Sequence, residues 1–326
     1  MNENPIVSVI VPVHNAGRHL LPCLQSLAVQ TLRSIEFVLV LDCPTDGSDR
    51  VAERFAEKDS RFRLVRNAQN LHIGLSRNAG LEVAKGKWIG FADHDDLVEP
   101  QLWESLLLCA EANDAEVVLC AFDQRSASAS GAYLLPECDA CDLRENVLRA
   151  LIGGEYAQVG TTSFRNVNSV WTELISRDLI DRHHLRFPDN RQCSYEDALF
   201  NIGVFANANR AAYLPQVLYH HLIHENNAFA RYEYRSYTHM LRYTQLLTEC
   251  LETCGLCDRY APETRACVVR RLYTSMYNEL KFNGLKSLPH FFRVIKTDVS
   301  VGALLHRQKV SGLRLTQQIF KWLVWG

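Results

Sequence analysis

Apolar positions along the first 120 residues follow two alternating rhythms. Residues 6–13 (IVSVIVPV) and 35–41 (IEFVLVL) are short, β-branched-rich runs, which predict strands buried on both faces. Between them Leu20, Leu21, Leu24, Leu27 and Ala28 recur at helical spacing, so residues 17–30 are predicted to form a crossover helix. The unit is βαβ.

The alternation continues with a helix over 48–58, where Val51, Ala52, Phe55 and Ala56 face inward, then a strand at 62–66 and a helix at 74–84. A strand at 88–92, a helix near 99–113 and a strand at 115–122 follow. This order implies an α/β fold, a mostly parallel sheet with helices on both faces. Ligands of such sheets gather at the carboxyl ends of the strands. Gln124–Gly131 (QRSASASG) is small and polar and predicts a loop. Beyond it the pattern weakens to short strands near 170–175 and 211–214, a helix near 197–206 and an almost wholly helical region from about 233. No internal repeat is present.

With 326 residues, 47% apolar and 22% charged, the chain has an ordinary globular composition and is neither disordered nor fibrous. The expected division is a unit over 1–230, made of a regular half (1–122) and a less regular half (123–230), followed by a helical, basic region over 231–326. The net charge of −2 conceals an asymmetry: residues 281–326 hold eight Lys/Arg and one acid, about +7, which leaves about −9 for the rest. Such a split disfavours a protein that binds nucleic acid along its length. No apolar run approaches the ~20 residues that span a bilayer, and the first residues lack a basic signal-peptide region, so a cytoplasmic location is expected. Eleven scattered cysteines then read as reduced, mostly buried thiols.

The densest chemistry follows the run Trp88-Ile89-Gly90 as Phe91-Ala92-Asp93-His94-Asp95-Asp96. Three carboxylates in four residues repel one another, and sharing a hard divalent cation relieves this; oxygen ligands suit Mg²⁺ or Mn²⁺ better than zinc. A solvated acidic loop capping the next helix explains the cluster equally well. A second acidic point, Leu41-Asp42-Cys43-Pro44-Thr45-Asp46-Gly47-Ser48-Asp49, follows the second strand. Asp46 or Ser48 can N-cap the next helix, which leaves Asp42 to accept a hydrogen bond from a base or ribose.

Together these residues resemble family 2 of the glycosyltransferases, inverting nucleotide-sugar transferases with the Rossmann-like GT-A fold. The resemblance rests on VSVIVPVHN (7–15), Gln30-Thr31, LVLDCPTDGSD (39–49), the NLHIGLSRNAGLEVAKGKWIGFADHDD run (70–96) and YEDALFN (195–201). It implies that Pro12, Val13 and Asn15 lie under the nucleotide, that Asp42 accepts from the base, and that Arg77 lies near the pyrophosphate. Asp95 and Asp96 match the paired aspartates that hold ribose and metal, and Asp93 takes the first position of a DxD reading. Asp197 takes the place of the general base beside Glu196, although acids at a helix start need no catalysis to explain them. His224, in the segment His220–Asn227, is a further candidate for the Mn²⁺ or Mg²⁺ shell or for phosphate; an unliganded polar loop is the alternative.

One departure is the loop usually written Asp-Asp-Gly-Ser-Thr-Asp, which reads Leu41-Asp42-Cys43-Pro44-Thr45-Asp46 here. It keeps the second aspartate, loses the first, and is stiffened by Pro44. A second lies in SVWTELISRDLI (169–180), where a lysine is common at the position of Glu173. In that acceptor-side segment Trp171 offers a flat face for a sugar ring or serves as core.

The implied activity is transfer of a sugar from a nucleotide-sugar, UDP-hexose or UDP-N-acetylhexosamine, to a glycan or lipid-linked acceptor in cell-surface polysaccharide synthesis. A non-catalytic sugar-nucleotide-binding or scaffold protein of the same fold is the alternative, opposed by the intact Asp42, Asp95, Asp96 and Asp197. The first strand is followed by no G-x-G-x-x-G, against a nicotinamide enzyme. Cys250, Cys254 and Cys257 have radical-SAM spacing but sit in a late helical segment, where one buried face explains them. In the tail, basic residues alternate with Phe291, Phe292, Ile295, Leu304, Leu305, Ile319, Phe320, Trp322 and Trp325. This composition suits either an interfacial helix on an anionic, cytosolic membrane face or a helical cap on the body or on a partner subunit, with oligomeric state left open.

Overall fold

The computed structural model describes residues 4–126, 130–136, 140–153, 167–224, 237–306, 308, 310 and 313–325. The first half follows the predicted alternation: β1 (Val7–Val13), α1 (Leu20–Ala28), β2 (Ile35–Leu41), α2 (Ser48–Lys58), β3 (Phe62–Arg66), α3 (His72–Val83) and β4 (Trp88–Phe91). Strands β3, β2, β1 and β4 are parallel neighbours in that spatial order. Every residue of β1 and β2 is buried, because each strand feeds two cores in turn. Val7, Val9, Val11 and Val13 join Phe37, Leu39 and Leu41 on one face, under α1 and α4 (Leu102–Asn113). Ile10, Val38 and Val40 join the opposite core. This is the period of two that makes a continuous apolar run read as a doubly covered strand.

Beyond β4 the sheet becomes mixed. It runs on through β8 (Glu173–Ser176), β6 (Val117–Arg125), β9 (Ala211–Leu222) and the two-residue β5 (Leu97–Val98), while β7 (Ser130–Tyr133) pairs with β6. β8 is antiparallel to both β4 and β6; β9 is parallel to β6. The polar stretch predicted as a loop over 124–131 is therefore partly strand: Phe122–Arg125 pairs antiparallel with Ser130–Tyr133, and residues 127–129 lie outside the described residues. The helix predicted from 99 starts at Leu102, after Pro100, and Leu97–Val98 is drawn into pairing with β9. The strand predicted to end at 214 runs on to Leu222, since the register shifts between Cys120 and Ala121 absorb Pro215 and Gln216 as a bulge, where proline's missing N–H is tolerated.

The other core is closed by α5 (Ala140–Gly153), α7 (Glu196–Asn207), α8 (Tyr237–Thr253) and α9 (Ala261–Asn283), which contribute Leu151, Phe200, Tyr243 and Cys267 among others. The boundary expected between 230 and 231 falls in residues 225–236, outside the described residues. A third core joins α8 and α9 to α10 (Leu288–Thr297), α11 (Val299–Leu305) and α12 (Leu315–Trp325) through Val268, Val269, Leu272, Phe291, Ile295, Leu305, Phe320 and Trp325. Much of the tail's apolar content is thus the inner face of a helical cap. The described cysteines are free thiols. Among the described residues no helix is long and apolar enough to cross a membrane.

Candidate active site

The carboxyl ends of β1, β2 and β4 meet the end of β9 and the start of α7, and the acidic motifs converge there. Asp42, one residue beyond β2, is 3% exposed. Its Oδ1 accepts from Asn67 Nδ2 (2.7 Å) and Leu71 N (2.7 Å), and its Oδ2 from His72 N (2.9 Å), so the carboxylate holds the first turn of α3 as well as facing the cleft. One lone pair is left for a ligand donor. Cys43 has φ 50, the left-handed conformation that glycine takes most easily, at the position where the resembled pattern writes glycine. Asp46 accepts from Gly17 N (2.7 Å) and Ser48 N (3.0 Å), clamping the β1 turn to the start of α2. In that turn Pro12 is buried and its carbonyl accepts from His94 Nδ1 (2.9 Å); the Val13 carbonyl accepts from Asp42 N (2.9 Å). Asn15 is exposed and accepts from Thr45 N (2.7 Å).

The three aspartates after β4 occupy three different environments. Asp96 is 2% exposed and accepts from Tyr219 Oη (2.9 Å), Leu222 N (2.8 Å) and His221 Nδ1 (3.2 Å to each oxygen). Burial pushes it up to about 6 against the pull of His221. Burial works against a charged His221 too, but its hydrogen bond to Asp96 and the surrounding acids carry it upward. Asp96 is thereby committed to pinning β9 to the acidic loop. Asp93 is ion-paired with Arg77 at 3.0 Å, and its N–H donates to Tyr219 Oη. Asp95, by contrast, meets His224 Nε2 at 2.9 Å, both side chains about 15% exposed, and the His19 ring stacks on His224 at 4.0 Å.

Arg77 is 2% exposed and reaches both halves of the site: Nη2 donates to Asp93 (3.0 Å) and Nη1 lies 3.6 Å from Glu196 Oε1. Its Nε and Nη1 have no hydrogen-bond partner among the described residues, although Nη1 keeps the ion pair with Glu196. Glu196 and Asp197 open α7. Tyr195 before them has φ 66, held by the Arg271 guanidinium 3.8 Å over its ring and by an edge contact with Tyr243. The C-terminal helices therefore fix the backbone that aims Asp197. Burial first and Glu196 second push Asp197 up to about 7, while Arg77 pulls it down, so the carboxyl exchanges its proton near neutral pH.

Trp171 is 6% exposed, stacked on Tyr219 at 4.3 Å and edge-on to Phe122, so it backs the acidic loop from behind and shows little face to a sugar ring. Tyr219, Asn67 and His19 carry no motif of their own in the sequence. Tyr219 and His221 were open to recognition through their spacing of two, once the strand is carried past Pro215.

The family model described as Glycosyl transferase family 2 matches residues 8–138, from β1 to just past β7. EpsH of Bacillus subtilis, named as a glycosyltransferase, is 28% identical over 292 residues, covering 88% of this chain and 80% of its own. This chain carries a family 2 glycosyltransferase domain. The uncharacterized glycosyltransferase YibD of Escherichia coli is 31% identical over 227 residues, 70% of this chain, which spans 64% of YibD. Among solved structures, Staphylococcus aureus TarS (residues 1–349) in complex with UDP-GlcNAc superposes with a TM-score of 0.70 at 21% identity, over 91% of this chain and 83% of that one. The α/β architecture of the family 2 domain is thus GT-A type, followed by a helical C-terminal region.

Proposed function

We propose that this chain moves a sugar from a nucleotide-sugar, a UDP-hexose or UDP-N-acetylhexosamine, to a hydroxyl of a glycan or lipid-linked acceptor with inversion at the anomeric carbon. The observation that carries this reading is Arg77, whose buried guanidinium ties Asp93 of the acidic loop to Glu196 beside Asp197. That link between the two acidic motifs supports reading the loop as donor-binding and Asp197 as the base. In the reaction the acceptor oxygen bonds to the anomeric carbon as the bond to the diphosphate oxygen breaks. The electron pair leaves with the diphosphate, and the acceptor proton passes to Asp197. A single displacement of this kind turns an α-linked donor into a β-linked product. A base in this position typically contributes about 10²- to 10⁴-fold.

Asp95 and His224 are the residues that fit a Mn²⁺ or Mg²⁺ ion. Their oxygen and nitrogen donors already meet, whereas Asp96 and Asp93 are engaged elsewhere. Among the described residues no group of three acidic, histidine or cysteine side chains is placed to hold a metal ion. Such an ion supplies Lewis-acid stabilisation of charge on the leaving diphosphate.

Thermal shift with UDP, UDP-sugars and GDP-sugars, with and without Mn²⁺, tests the donor class. A ligand at about 100 times its Kd stabilises by about 2.7 kcal/mol. No shift with any nucleotide, together with no donor hydrolysis in Mn²⁺ or Mg²⁺, would overturn the reading.

We further infer a peripheral seat on an anionic membrane, where a lipid-linked acceptor would be presented. In the C-terminal helical region Leu285, Val299, Ile319 and Trp322 are exposed, at 73%, 85%, 49% and 67%, and Lys286, Arg293 and Lys296 are exposed as well. Since Phe291, Ile295 and Phe320 are core, the test is substitution and not truncation. Leu285→Glu with Trp322→Glu should abolish flotation with anionic vesicles, and wild-type protein that fails to float would refute the seat.

A further inference from the structure

Glu173 opens β8, in the middle of the sheet, and is fully buried. Its Oε1 accepts from Asn201 Nδ2 at 2.8 Å, and Asn201 lies one turn along α7 from Asp197 and is itself fully buried. Two atoms are left over: Glu173 Oε2 and Asn201 Oδ1 are both buried and without a partner among the described residues. If Glu173 were a carboxylate, both would be acceptors with nothing to accept, next to a charge out of water. Either deficiency alone costs several kcal/mol in a protein interior. Among the described residues the titratable groups facing Glu173 are Asp197 from α7 and Cys120 from β6, and neither supplies a positive charge. Burial, with Asp197 as the second cause, pushes the Glu173 carboxyl well above its ordinary range.

One proton removes both deficiencies. On Oε2 it makes Glu173 a donor, and its natural acceptor is Asn201 Oδ1, the other atom left unpaired on the group that already bonds Oε1. We propose that Glu173 is a neutral carboxylic acid that forms a cyclic acid–amide pair with Asn201, a positioning device that fastens the base-bearing end of α7 to the central sheet without placing a charge behind Asp197. A lysine there would put a cation near the base and favour its ionised form; the neutral pair leaves Asp197 to burial, Glu196 and Arg77. The role given to Asp197 rests on the proposed function, whereas the protonation of Glu173 does not.

Glu173→Gln is the decisive variant, because a glutamine NH₂ can donate to Asn201 Oδ1 and its carbonyl can accept from Nδ2. A carboxyl raised on folding stabilises fully below its unfolded value of about 4.3 and loses that contribution as pH rises towards the folded value, whereas glutamine has no such dependence. E173Q should therefore melt level with wild type near pH 4.5 and above it at pH 8. Infrared difference spectra of protein with ¹³C-labelled glutamate should show a protonated-carboxyl C=O band at pH 7 that E173Q lacks. The acid limb of the transfer rate should stay in place in E173Q. Asn201→Leu, which removes the partner, should melt lower at both pH values. An E173Q protein that melts below wild type at pH 8, or a wild-type spectrum without the labelled band, would overturn the pair. Absence of transfer by wild type, with the band and the melting pattern intact, would instead sink the proposed function and leave the pair standing.

Discussion

Replacing Asp197 with asparagine separates catalysis from stability. The substitution keeps the shape and the oxygen that accepts from Ala198 N (2.9 Å), and it deletes the charge. A carboxyl near 7, held there chiefly by burial and then by Glu196, is half ionised at neutral pH. Transfer by wild type should rise with pH through about 7, and near pH 6 should run at about a tenth of its plateau, one decade per pH unit. Asp197→Asn should lose about 10²- to 10⁴-fold in kcat, about 3–5 kcal/mol of barrier, with UDP binding nearly unchanged.

The stability effect has the opposite sign. A carboxyl raised from about 3.9 in the unfolded chain to about 7 in the native one contributes fully at acid pH and loses that contribution as pH rises through about 7. Asparagine does not titrate, so the variant should gain on wild type by up to on the order of 4 kcal/mol between about pH 4 and pH 8. Initial rates at saturating donor between about pH 5 and 9, with thermal or denaturant unfolding over the same range, measure both. Transfer within tenfold of wild type would show that another group takes the proton. A variant less stable than wild type at pH 8 would show that the buried charge is paid for by a partner other than Arg77.

Three further outcomes follow from the surrounding contacts. Tyr219→Phe removes the hydroxyl shared by Asp96 and Asp93 N and should cost about 1–3 kcal/mol in urea unfolding, with weaker donor binding as the acidic loop loosens. His224→Ala should raise the Mn²⁺ or Mg²⁺ concentration that half-activates transfer by at least the roughly 10–100-fold typical of disturbed metal shells; an unchanged requirement would release His224 from the site. Glu36 is driven upward by burial but more strongly downward by Ser8, Arg63 and Lys85 N. Its stabilisation is thus present above about pH 4.3 and lost as pH falls, so Glu36→Gln should cost about 1–3 kcal/mol at pH 7 and progressively less in acid.

The half of the fold built on local rhythm was legible before any coordinates. β1, β2, α2 and β3 lie where the period of two and the helical spacing put them, because each buries its apolar face against the nearest elements in sequence. The second half depends on partners far away. Pro215 argues against a strand until β6 is seen to shift register around it, and Leu97–Val98 is a strand only because β9 passes alongside. α5 carries helical spacing in Leu143, Val147, Leu148 and Leu151, but it follows a small polar run that reads as loop and masks the pattern.

At the site, residue types were legible and their division of labour was not. Asp93, Asp95 and Asp96 look alike as sequence, yet one pairs with a buried arginine, one meets a histidine near the surface and one is sealed by three donors. The difference comes from β9, whose alternation sends Tyr219 and His221 to Asp96 while His224, just past the strand, reaches Asp95. An acidic motif therefore states that a cation can be shared, and the strand opposite decides which oxygen is free to share it. The same logic extends to Glu173: as sequence it reads as a negative charge, but complete burial beside Asn201 and Asp197 makes it a neutral hydrogen-bonding group. Charge at a buried position is set by what surrounds the side chain, and around the acidic loop the surroundings leave Asp95 less engaged than Asp93 and Asp96.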